Sequence, residues 1–309
     1  MIICCGEALI DMLPRQLDTG DDVFLPVYGG ALFNTAISLG RLGVPSGFVS
    51  GISTDMFGDQ LMDSLKASNV ATDWCVRKDH PTTLAFVKLV DGQAQYTFID
   101  EASAGRMLAV ADLPEMPADL AALHFGAISL IPEPCGTAFE TLMSGHQEQA
   151  VISLDPNIRP GFITDAQSHR SRISRMIAMS DIVKVSDEDL EWIAGSSGAD
   201  GMVQEMIARD GVSIVVLTKG AQGVEIHSAN GSFEIAARKV DVADTIGAGD
   251  SFNGGFLAGL DQSGLLNKSA LKRAKPEELR PAAELAVEVA AITVTRAGAN
   301  PPWASDLQQ

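Results

Sequence analysis

Apolar residues in this chain gather into short runs separated by amphipathic stretches, and the alternation of the two carries most of the fold information. The run IICCGEALI, interrupted by Glu7, reads as a first strand. DTGDDVFLPVYGG then reads as a polar turn followed by a short extended run, and ALFNTAISLGRLG carries apolar residues at helical spacing with Gly43 as its stop. SGFVSGIS predicts another strand and FGDQLMDSLKASN another amphipathic helix. Strand alternating with helix is the pattern of an α/β protein with a mostly parallel sheet.

Residues 72–100 break this rhythm. TLAFVKLV, DGQ and AQYTFID read as two alternating strands around a turn where a helix was due. Together with the extended run at 22–28 they predict a small antiparallel layer, either projecting from the body as a lid or extending an edge of the main sheet. The alternation resumes with strands at ALHFGAISL, AVISLDPN, DIVKVSD and VSIVVLTKG, and helices around 134–149, 168–179, 187–194 and 201–209. A strand pair near 222–237, a helix opening at Gly247 and a long Ala/Val/Glu-rich helix near 277–295 complete the chain. There is no repeat and no low-complexity linker, so residues 1–309 read as one domain.

Composition narrows the partners. The 22 basic residues among 40 acids leave a net charge of −18, which argues against a nucleic-acid surface or an anionic membrane. Any anionic ligand has to be held locally. No stretch is long and apolar enough for a membrane span, and the start has no basic region like that of a signal peptide. Cys4, Cys5, Cys75 and Cys135 form no CxxC pair and no zinc spacing, which fits core thiols in a reducing cytoplasm.

The chemistry concentrates in DTIGAGDSFNGGFLAGL. Phe252, Phe256, Leu257 and Leu260 recur at helical spacing, so Gly247, Ala248 and Gly249 form a turn into a helix. Free N–H groups and the positive end of the helix dipole make an anion site there without a side-chain cation. Asp250 beside such a site reads in two ways, as an acid favourable to the dipole or as the base that accepts a proton from an attacking hydroxyl. No G-x-G-x-x-G follows the first strand, which argues against a dinucleotide-dependent oxidoreductase.

This segment resembles a signature of the ribokinase-like, or PfkB, family of carbohydrate kinases, and GGALFNTAISLGRLG resembles the family's other signature. GISTDMFG, TKGAQG and AGANPP extend the resemblance over nearly the whole chain. GEALIDM, YTFIDEASAGRML, LHFGAISL and DPNIRPG are most similar to bacterial fructokinases, with 2-keto-3-deoxygluconate kinases as near neighbours. The resemblance implies a Rossmann-like ribokinase fold, its mostly parallel sheet flanked by helices and its small β-sheet lid formed by about 11–30 and 72–100. It implies transfer of the ATP γ-phosphate to the 6-hydroxyl of fructose, with Mg²⁺ as cofactor and a homodimer built on the lid. Another sugar or nucleoside as acceptor, and a non-catalytic binding protein, are the alternatives.

Matched residue by residue, the resemblance makes Asp250 the catalytic base and Gly247, Ala248 and Gly249 the anion hole. Asp11, Gly29, Gly30, Asn34 and Phe98 fall on the sugar side, with Arg159 near the sugar or the transferring phosphate and Arg106 as a further substrate contact. Thr218, Gly220 and Gly223 fall on the nucleotide side. Where many members carry N-x-x-E, this chain has Ser186 and Asp189, and Asp189 is expected to hold a metal-bound water. Asp244 and Thr245 match a region where some members bind a monovalent cation such as K⁺.

Overall fold

Two sheets organise the chain. The computed structural model describes residues 1–90 and 93–308, and the side chains of all of these except 88–90, 93–96 and 308. In chain order the strands are β1 (Ile2–Cys5), β2 (Leu9–Gln16), β3 (Asp22–Gly29), β4 (Ser46–Ser53), β5 (Val70–Ala71), β6 (Cys75–Lys78) and β7 (Leu84–Val90). They continue with β8 (Gln93–Ile99), β9 (Ala122–Gly126), β10 (Val151–Asp155), β11 (Ile182–Ser186), β12 (Ile214–Thr218), β13 (Val224–Ser228) and β14 (Gly231–Ile235).

The central sheet runs β14-β13-β12-β11-β10-β9-β1-β4-β5, with β6 also on β4. Every pairing from β5 and β6 to β12 is parallel, and β13 and β14 add an antiparallel hairpin at one edge. Helices cover both faces, which is why β1, β4 and β10 are buried throughout and read as near-continuous apolar runs. Alternation sends Ile2 and Cys4 to one core and Ile3 and Cys5 to the other. The first core packs under the helices Ala31–Arg41, Ala248–Gln262 and Pro276–Val294, and the second under Cys135–His146 and Ala166–Ala178. In the Ala248–Gln262 helix, Gly259 lets Pro276–Val294 approach closely, since a Cβ there would lie 2.5 Å from the Ala282 Cα.

The chain leaves β1 for β4 on one side and later returns to β9 on the other. Such a switch in strand order opens a crevice at the carboxyl ends of the strands, and the site lies there. A separate four-stranded sheet, β3-β2-β7-β8, stands beside it. Two antiparallel pairs, β2 with β3 and β7 with β8, are joined by a parallel β2–β7 pairing.

Two local readings change. IICCGEALI is two strands, because β1 stops at Cys5 and β2 starts at Leu9 in the other sheet. A Cβ at Gly6 would lie 2.5 Å from Leu32 Cγ, so the chain turns there against the first helix. The span 72–100 does not belong wholly to the small sheet, since β6 pairs in parallel with β4 of the central one. The turn expected at DGQ falls on Asp91 and Gly92, outside the described residues. No helix among the described residues is long and apolar enough to cross a membrane.

Candidate active site

A cleft of about 290 Å³ opens at the carboxyl ends of the central strands. Leu9, Asp11 and Phe98 of the small sheet form one wall, and Arg159, Lys184 and the turn Thr245–Asp250 form the other.

The turn is shaped by contacts distant in sequence. Gly247 caps the Ala248–Gln262 helix at φ 76°, a left-handed conformation, and a Cβ on it would lie 2.5 Å from the Ala299 Cβ. The Asp244 carboxylate accepts from Ile246 N at 3.0 Å and Gly298 N at 2.9 Å, tying the turn to the same neighbouring loop. Ala248 N–H folds back on the Thr245 carbonyl at 3.3 Å. The N–H groups of Gly249 and Asp250 meet no protein acceptor among the described residues. Two backbone donors at a helix N-terminus are therefore available for an anion.

Asp250 is buried, yet it lines the cleft. Asn34 Nδ2 donates to its Oδ2 at 2.9 Å, and Thr35 Oγ1 donates to its main-chain carbonyl at 3.1 Å. Asn34, expected at the sugar, thus gives one of its amide hydrogens to this carboxylate and orients it. Burial raises the Asp250 pKa to about 6, with the Asp155 charge adding to the rise and the Asn34 hydrogen bond and the nearby Lys184 and Arg159 charges moderating it. An acid poised near neutrality within reach of a hydroxyl is suited to general-base work.

On the opposite wall, burial likewise raises the Asp11 pKa to about 6, and its carboxylate accepts no hydrogen bond among the described residues. It lies over Gly29, where a Cβ would fall well inside contact distance of its Oδ2. Gly30 has φ 114°, and a Cβ there would lie 2.5 Å from the Glu7 carbonyl oxygen. Glu7 caps the following helix from afar, accepting from Ala31 N at 2.8 Å, and burial raises its pKa to about 7. We expect Gly29→Ala to push the Asp11 carboxylate out of place and raise the sugar KM about tenfold with little change in kcat. Steady-state kinetics with the sugar varied at saturating ATP checks this.

Phe98 packs edge-on against Phe162, ring centroids 4.2 Å apart, where the two walls meet. Arg159 lines the cleft, its Nη1 donating to the Ile158 carbonyl at 3.1 Å. Arg106 lies in an adjoining cavity of about 320 Å³, with its Nη1 3.7 Å from Asp100 Oδ2. Thr218, Gly220 and Gly223 line neither cavity, and the Thr218 hydroxyl donates to the Val185 carbonyl at 3.4 Å.

The segment Ser186–Asp189 caps a helix and braces a neighbouring loop. Ser186 Oγ accepts from Asp189 N while Asp189 Oδ2 accepts from Ser186 N, each at 3.0 Å, closing a capping box on the helix Asp187–Ala194. Asp189 Oδ1 accepts from Ile158 N at 2.8 Å, bracing the loop that carries Arg159. Both oxygens are engaged, and Asp189 lines neither cavity. The Asp244 oxygens are engaged as well, so a monovalent cation at Asp244 and Thr245 finds no unpartnered carboxylate oxygen. Among the described residues no group of three or more His, Cys, Asp or Glu side chains could hold a metal ion.

Several cleft residues escaped the sequence reading. Glu7 and Lys184 were each signalled only by a charge placed in or beside a strand run, in CCGE and DIVKVSD. Ala127, at φ 55°, and Asn157, at φ 42°, also line the cleft in strained left-handed conformations. Nothing in the sequence marked Ala127.

A buried carboxylate at a helix N-terminus that offers two free N–H donors, facing a second sheet that carries another acid, defines a sugar-kinase cleft of the ribokinase type. Residues 1–306 match the family described as pfkB family carbohydrate kinase. The chain belongs to that family. It is 51% identical to a fructokinase of Rhizobium leguminosarum bv. trifolii over 280 residues, 91% of this chain and 86% of that one. The crystal structure of a Xylella fastidiosa fructokinase with bound ATP superposes with a TM-score of 0.91 at 31% identity, covering 99% of this chain and 96% of that one. A Vibrio cholerae O395 fructokinase in fructose, ADP and calcium ion bound form gives 0.82 at 26% identity, covering 96% and 94%.

Proposed function

We propose that the protein is an ATP-dependent fructokinase that phosphorylates the 6-hydroxyl of fructose. The observation that carries this reading is the Asp250 carboxylate, buried beside two unpartnered backbone N–H groups and facing Asp11 across the cleft. The similarity to fructokinases supports the choice of sugar.

Fructose lies between the walls, with Asp11 accepting from its hydroxyls and the small sheet acting as a lid that excludes water. Asp250, oriented by Asn34, takes the proton of the 6-hydroxyl as that oxygen attacks the γ-phosphorus and ADP leaves. The Gly249 and Asp250 N–H groups bear charge on the phosphoryl oxygens. The rest of the nucleotide runs along the carboxyl ends of β11 and β12 toward Thr218, Gly220 and Gly223. The sparse carboxylates fit Mg²⁺ only as a companion of the ATP phosphates, a role in which this ion keeps much of its water. Bound there, it would neutralise charge on the ATP phosphates.

A keto-acid substrate is the second reading, favoured by Arg159 in the cleft and Arg106 next door. Arg106 is already turned toward Asp100, which leaves fructose ahead. An ADP-release assay with fructose, 2-keto-3-deoxygluconate, ribose and adenosine decides. We expect fructose to give the highest kcat/KM. A tenfold advantage for the keto-acid overturns the choice of sugar, and no ADP from any acceptor overturns the kinase reading.

The small sheet leaves Phe24, Leu25, Tyr28 and Ile99 exposed, and pairing of two copies through it is the homodimer we propose. Light scattering checks it, with a monomeric mass as the opposing result. The four free thiols suit a reducing cytoplasm.

A further inference from the structure

The signature turn contains no lysine, but the tertiary structure supplies one. On the face of the central sheet that shares its core with the Ala248–Gln262 helix, alternate positions run Ala122 and His124 on β9, Val151, Ser153 and Asp155 on β10, and Ile182 and Lys184 on β11. The apolar floor thus becomes polar toward the carboxyl ends. Lys184 stands at that end and lines the cleft with the turn, its side chain only 9% exposed. Its ammonium lies against Gly249, where a Cβ would come within 3.2 Å of Nζ.

The ammonium is held from below. Lys184 Nζ donates to Asp155 Oδ2 at 2.9 Å, and the same oxygen accepts from Asn253 Nδ2 at 2.7 Å. Asn253 belongs to the helix whose N-terminus forms the turn, so one carboxylate ties the lysine to the anion site. An ammonium has three donors. One is used here, and the other two meet no protein acceptor among the described residues. Asp155 Oδ1 is buried without a partner, so the cluster is not optimised as a structural ion pair. Buried pairs contribute little net stability in any case, because desolvation offsets their attraction. The Lys184 ammonium stays protonated despite burial, held so chiefly by Asp155.

We propose that Lys184 is a catalytic residue of the phosphoryl site, its ammonium contacting the γ-phosphoryl group as that group passes from ATP to the acceptor hydroxyl. This inference rests on the kinase reading above but not on the identity of the sugar. Asp155 and Asn253 are its positioning residues. Charge develops on the phosphoryl oxygens, and a fixed cation in a dry site stabilises it without reorganisation.

Lys184→Met removes the charge at similar volume and leaves the buried Asp155 without its counter-charge, so Lys184→Met/Asp155→Asn is made beside it to keep the fold. Both variants are expected to lose on the order of 10²–10³ in kcat, with fructose KM within about threefold of wild type. Affinity for AMP-PNP is expected to fall at least tenfold while affinity for AMP stays unchanged, a split that loss of packing alone would not produce. Wild-type kcat in the folded double variant overturns the proposal, as does equal loss of AMP and AMP-PNP affinity. The nucleotide-binding comparison needs no turnover. Failure of the wild type to phosphorylate any acceptor would count against the kinase reading, whereas an unchanged AMP-PNP preference in the variants would count against Lys184.

Discussion

Asp250→Asn lowers kcat by about 10²–10⁴ while ATP affinity stays within a few-fold, because an amide still lines the turn but cannot accept the hydroxyl proton. Steady-state kinetics with nucleotide binding measured separately checks this, and more than half the wild-type kcat in a folded variant removes Asp250 as the base. The same carboxylate sets the pH dependence. As a base it works deprotonated, so wild-type activity falls as pH drops through about 6, and any residual activity of the variant should lose that limb. Stability moves the other way. Asp250 has a folded pKa near 6, above its ordinary value of 3.8, so the fold favours the neutral form. Its ionisation costs stability progressively from pH 3.8 to about 6 and fully above that. Asp250→Asn should therefore be more stable than wild type at pH 7, by about 1–3 kcal/mol, and equal to it near pH 3. Thermal melts at the two pH values measure this.

Gly249→Val and Gly247→Val should fail for different reasons. Gly249 lacks the left-handed conformation of Gly247, so a side chain there meets mainly the Lys184 ammonium and the space the phosphates need. The expected result is a kcat loss on the order of 10²–10³ with a melting temperature close to wild type. At Gly247 a β-branched residue is forced to φ 76° against Ala299, and loss of folded protein should dominate. Wild-type turnover by Gly249→Val would mean that the phosphates bind elsewhere.

Much of the frame was legible before any coordinates. SGFVSGIS is β4 from end to end, and the hairpin β7–β8 falls where the helical rhythm broke. Buried parallel strands must be apolar on both faces and covering helices on one stripe, so each element carries its own burial record. The anion turn was legible for a related reason. Gly247 and the apolar spacing after it are local requirements of starting a helix from a left-handed residue.

What composes the site was decided elsewhere in the molecule. Lys184 reaches the turn because β11 lies beside β10 and Asn253 of the Ala248–Gln262 helix bonds the same Asp155 carboxylate, and Asn34 orients Asp250 because the first helix packs against that same helix. Asp189 spends its carboxylate on a helix cap and on Ile158, and Arg106 sits beside Asp100 in the adjoining cavity. Periodicity reports which face of an element is buried but not which element covers it. A polar side chain's role depends on the second fact, because its partner comes from a distant segment brought close by the order of the strands. The sequence by itself therefore determined the α/β alternation, the helix start and the candidate base, whereas the tertiary structure alone decided which charges meet at that base.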